Sequence, residues 1–180
     1  MSVEVTKRPT LTIDATFPEN MMEYALNFSA QKVGYADRDQ VLADIQSGNC
    51  STCESVRYGL AQKIADYLGT VDDTVKAVYI YEPEYATTVD GAVPDDLSLS
   101  KGIHMIAWVV RKTAALSSLI DALGSSLTQE VKRFDCPKAN ALCYKLVVHI
   151  VDDEEVLTRT GYGALVDSFY VRPIEIWRRS

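Results

Sequence analysis

Apolar residues in this chain follow two rhythms, a three- and four-residue spacing and a run of consecutive β-branched and aromatic positions, and the two define its elements. The first helical stretch is MMEYALNFSAQ, where Met21, Ala25 and Phe28 fall on one side and Pro18 suits a first turn. A second runs from Asp37 to Ser47, with Asp37 as cap, Val41, Leu42 and Ile45 as apolar face and Gly48 as stop. In the third, Val56, Leu60, Ile64 and Tyr67 or Leu68 repeat after Ser51-Thr52-Cys53-Glu54, which has the form of a capping box, and Gly69 closes it. The fourth, TAALSSLIDALGSSLTQEVKRF, carries Leu116, Leu119, Leu123, Leu127 and Val131 on one stripe. Gly124-Ser125-Ser126 is its weak point, a place to kink or split.

Three continuous runs read as strands: VKAVYIYE, stopped by Pro83, then IHMIAWVVR and CYKLVVHIV. The order strand, helix, strand from Ile103 to Val151 is a crossover unit and favours a parallel pair. A short helix after Gly163 precedes a last extended run, FYVRPIEIW, which Pro173 assigns to a sheet edge. Weak alternation over residues 1–17 suits an N-terminal arm or edge strand. The fold class expected is α/β, with α+β as the alternative. A single domain over 1–180 would hold a mixed sheet of three to five strands under helices, in two or three layers, with one β-α-β crossover.

Composition changes this picture little. Hydrophobic residues are 47% and charged residues 24% of the 180, ordinary for a folded domain that needs no disulfide or metal merely to fold. A formal net charge of −7, with basic residues scattered in short pairs such as Lys7-Arg8 and Arg178-Arg179, counts against nucleic acid as a partner. No apolar run reaches signal-peptide or membrane-span length, so the default expectation is a cytoplasmic protein with reduced thiols and no membrane partner. Homo-oligomerisation stays open.

Candidate chemistry centres on the cysteines. Cys50 and Cys53 stand with two residues between them where the third helix begins, and free N–H groups there stabilise a thiolate. One reading is a structural zinc on Cys50, Cys53, Cys136 and Cys143, the soft tetrahedral set Zn²⁺ prefers, with no other cofactor expected. The alternative is a thiol–disulfide oxidoreductase in which Cys50 attacks and Cys53 resolves. Cys-x-x-Cys at a helix start, followed by helix and strand, resembles thioredoxin-like sites. DQVLADIQSG upstream is helical rather than the strand that resemblance implies. The bland reading is four packed thiols.

Two further groups stand out. His104 and His149 both lie in expected strands and approach each other if those strands are neighbours, making an acid–base or metal site if a carboxylate joins them. Tyr79, Tyr81, Glu82, Glu84 and Tyr85 place aromatics beside carboxylates at a strand end. That combination suits a small cationic ligand, a divalent ion or a protein partner. The expected function is a binding or interaction module rather than a specified reaction.

Overall fold

The computed structural model describes residues 11–47, 50–82, 102–133, 145–170 and 172–180. Three helices come first: α1 (Phe17–Val33), α2 (Arg38–Ser47) and α3 (Cys50–Val71). Then follow β1 (Val75–Ile80), β2 (Ile103–Val109), α4 (Ala114–Arg133) and β3 (Leu146–Asp152). The chain ends with α5 (Asp153–Thr158), α6 (Gly163–Val166) and β4 (Ile174–Arg178). The strands form one mixed sheet in the order β3-β2-β1-β4. β2 and β3 are parallel, as the crossover through α4 requires, while β1 is antiparallel to both β2 and β4. β4 is an edge strand, and Pro173 sits just ahead of it where no ladder hydrogen bond is lost.

One face of the sheet is the core. Val78 and Ile80 of β1, Ile103, Met105 and Val109 of β2, and Leu146, Val148 and Ile150 of β3 meet the apolar stripes of α1, α3 and α4. Leu60, Ile64 and Leu68 of α3 are fully enclosed there. The expected stripe of α4 is the observed one: Leu116, Leu119, Leu123 and Leu127 are buried and Val131 packs beside them. Gly124 does not split that helix, which runs on to Arg133 with its apolar stripe buried, and the Ser125 and Thr128 hydroxyls turn back to the carbonyls of Asp121 and Gly124 at 3.0 and 2.9 Å. Asp37 caps α2 as expected, its Oδ1 accepting from the N–H groups of Asp39 and Gln40 at 3.0 and 3.2 Å.

The start and end of α3 depart from the sequence reading. The helix already includes Cys50, so Ser51 is a residue of its first turn rather than the cap. Thr52 is the buried hydroxyl instead, donating from Oγ1 to Asp44 Oδ2 of α2 at 2.8 Å. Gly69 does not close the helix, which continues to Val71. A Cβ at Gly69 would lie 2.1 Å from Cζ2 of Trp177, so the glycine exists to let β4 approach. Arg179 completes that junction by donating from Nη2 to the carbonyls of Gly69 and Asp72, at 2.7 and 3.0 Å, a cation on the last carbonyls of a helix.

The second face of the sheet carries Ala77 and Tyr79 of β1, Tyr81 directly after it, Ile106 and Trp108 of β2 and Val151 of β3. The short helices α5 and α6 cover it only in part, through Val156, Leu165 and Val166. α5 starts with a capping box that the sequence reading passed over: Glu155 N–H donates to Asp152 Oδ1 at 3.0 Å, and Asp152 N–H to Glu155 Oε2 at 3.2 Å. No helix among the described residues is long and apolar enough to cross a membrane.

Candidate aromatic binding site

Period-two alternation along β1 sends Tyr79 and Tyr81 to the thinly covered face, and Tyr81 is the hinge of everything chemical on it. Its N–H donates to the His104 carbonyl at 3.0 Å, which fixes the strand end beside β2. On one side, its ring centroid lies 5.8 Å from His104, 6.1 Å from His149 and 6.5 Å from Tyr162. The parallel pairing of β2 and β3 brings both histidines to this face, since Ile106 is the partner of His149 and His104 that of Val147. Both histidine rings therefore lie against Tyr81 on this face.

Among the described residues, no three of His, Cys, Asp and Glu gather closely enough to hold a metal ion. The fourth member is Tyr162, stacked on His149 at 3.4 Å between centroids and 10° between planes. Burial, and secondarily the nearby His104, push the His149 pKa down to about 4. Burial likewise raises the Tyr81 hydroxyl, with Tyr162 adding to it.

A pH signature follows. His149 is neutral in the fold at pH 7, whereas unfolded histidine titrates near 6.5. Its contribution is thus fully present above about 6.5 and is lost as pH falls toward 4, because the unfolded chain gains the proton first. After discounting for the solvent reaching a half-buried ring, about 1–2 kcal/mol should disappear over that window. His149→Gln should flatten this part of the stability–pH curve measured by denaturant titration. An unchanged curve would show that another group carries the loss.

On its other side Tyr81 lines a cavity of about 530 Å³ at the end of β1. Tyr58 comes from α3, Ile80, Tyr81 and Glu82 from β1 and its end, and Phe169, Tyr170, Arg172 and Ile174 from the turn leading into β4. Phe169 and Tyr170 are 74% and 83% exposed, large aromatic surfaces that a folded chain ordinarily hides. The Glu82 carboxylate is held by Arg57, at 2.6 Å from Nη2 and 3.3 Å from Nη1, and the Arg57 side chain is only 10% exposed. The Nε of Arg57 is buried with no hydrogen-bond partner among the described residues. Burial, followed by the Glu82 charge, raises the Tyr58 hydroxyl.

Tyr79 lies on the same strand face but takes a structural part, accepting from Arg178 Nη2 at 2.8 Å. Arg178 is also paired with Glu175, and Trp108 donates from Nε1 to Asp153 at 2.7 Å, so this stretch of the face is tied up in its own network.

Of the residues singled out from sequence, Tyr81 and Glu82 converge on the cavity, while Glu84, Tyr85, Cys136 and Cys143 lie outside the described residues. Cys50 opens α3, and Cys53 packs in the main core with 7% exposure. Alkylation of Cys53 should therefore be slow in the native protein and fast in denaturant; equal rates in both would contradict its packing. Tyr58, Phe169, Tyr170, Arg172 and Tyr162 were missed. The nearest available signal was the pair Phe169-Tyr170 ahead of Arg172-Pro173, too apolar for an ordinary turn.

The molecule is thus an open-sheet α/β protein with an aromatic cavity at one strand end and a histidine–tyrosine cluster behind it. No family model, curated protein or solved structure matches the chain.

Proposed function

We propose that this chain is a non-enzymatic binding module that takes a small organic ligand in the cavity at the end of β1. One observation carries the reading: a concavity of about 530 Å³ walled by four aromatic side chains from three separate segments, two of them strongly exposed. That volume lies in the range of small-molecule sites, and stacked rings with few charges are the usual lining of such sites. The chemical groups gathered around His149 are aromatic rings, Tyr81 and the stacked Tyr162, which suits binding of a flat ligand better than a specified reaction. The packing of Cys53 in the core likewise favours an inert thiol over the resolving partner of a redox couple.

Replacing Phe169 and Tyr170 together by Ser tests this. Both are exposed, so stability should change by no more than about 0.5 kcal/mol. Binding of flat aromatic fragments such as 2-naphthol, followed by calorimetry, should weaken at least tenfold. Undiminished binding in the double variant would place the ligand elsewhere.

A further inference from the structure

We propose that the cavity selects a flat aromatic ring bearing a carboxylate, with Arg172 as the receptor for the anion. The inference rests on the cavity being the binding site, and its own support is the backbone at its rim. Arg172 has φ +45°, in the left-handed region that residues with a Cβ avoid, and it directly precedes Pro173, which disfavours helical backbone in the residue before it. The chain holds this strained conformation in a turn closed by the Arg172 N–H donating to the Ser168 carbonyl at 3.2 Å.

The result is a guanidinium folded back over its own turn. Nε donates to the Phe169 carbonyl at 3.2 Å, and the charged group sits 4.8 Å over the Phe169 ring. Among the described residues no hydrogen bond takes its terminal nitrogens. They present the planar fork that matches a carboxylate in two parallel bonds. Glu82, the acid in the cavity wall, does not compete, because both of its oxygens are already bound by Arg57.

At the cavity this balance favours an anionic ligand over the cationic one that the acidic tyrosine stretch suits. A cationic ligand would meet Arg172 at the rim and find the Glu82 charge already neutralised. A ring entering between Tyr58, Tyr81, Phe169 and Tyr170 finds π faces on several sides, and an anionic substituent on it reaches the guanidinium stacked on Phe169.

Calorimetric titration of 2-naphthoate and its neutral counterpart 2-naphthamide tests the inference on three proteins: wild type, Arg172→Gly and Phe169→Ser. Glycine tolerates the positive φ, so Arg172→Gly should keep the wild-type melting temperature while removing the charge. Wild type should bind the carboxylate at least tenfold more tightly than the amide. In Arg172→Gly the two should bind alike. Equal binding of both ligands by wild type, or a carboxylate preference that survives in Arg172→Gly, would overturn the anion assignment alone. Failure of wild type to bind either ligand, or amide binding that survives Phe169→Ser at full strength, would instead remove the cavity reading beneath it.

Discussion

Gly69→Ala should cost about 2 kcal/mol of stability, within the 1–3 range typical of overpacking, although alanine is the better helix former by roughly 1 kcal/mol. The reason is local. The new methyl would sit 2.1 to 2.4 Å from three atoms of the Trp177 indole, which must swing away from α3. Arg179 goes with it, since its guanidinium lies 5.4 Å from the Trp177 ring and bonds the carbonyls of Gly69 and Asp72. The clash and the lost cap thus share one cause. For a chain of this length the cost corresponds to a fall in melting temperature of about 4–8 °C.

A double-mutant cycle separates this contact from any general intolerance of the helix. In a Trp177→Leu background the same Gly69→Ala change should turn neutral or mildly stabilising, because only the propensity gain remains. Additive costs would show that Trp177 is not the obstacle.

Tyr81→Ala should be more damaging still. The ring is 5% exposed and stands between two groups of side chains, the histidines with Tyr162 behind it and the cavity in front. Truncating a buried aromatic costs about 3–5 kcal/mol, and here the void would open into the cavity at the end of β1. Tyr81→Phe keeps the ring and should stay within about 1 kcal/mol of wild type while retaining ligand binding. If Phe proves as harmful as Ala in denaturant titrations, the hydroxyl rather than the ring would be the part that matters.

How far the sequence revealed these features depends on how local each one is. The stripe Leu116, Leu119, Leu123, Leu127 identified α4 because a helix writes its buried face into its own spacing. The parallel pairing of β2 with β3 followed from the helix between them. α5 was missed although Asp152 and Glu155 stand at capping-box spacing, because Asp152 also ends β3 and the strand pattern runs straight into the helix. Gly69 looked like a helix stop for a similar reason. Only the tertiary approach of Trp177, more than 100 residues later, shows what the glycine is for.

The candidate site was legible by halves. Tyr81 and Glu82 announce themselves as an aromatic and an acid at a strand end. Phe169, Tyr170 and Arg172 join them only because β4 pairs with β1, and nothing in the spacing of IEIWR dictates that neighbour; Tyr58 joins because α3 packs on β1. The charge of the site was hidden for the same reason. Glu82 looks acidic in the sequence until Arg57, 25 residues earlier, is found holding it.

The most direct test is to map bound aromatic fragments on the protein by NMR, following chemical shifts as 2-naphthoate is added. A saturable site should appear, with shifts concentrated on Tyr58, Ile80, Tyr81, Phe169, Tyr170 and Ile174. Shifts centred instead on Lys112, Ser117 and Glu155, which line a separate cleft of about 390 Å³ along β3, or the absence of any saturable site, would contradict a ligand cavity at the end of β1.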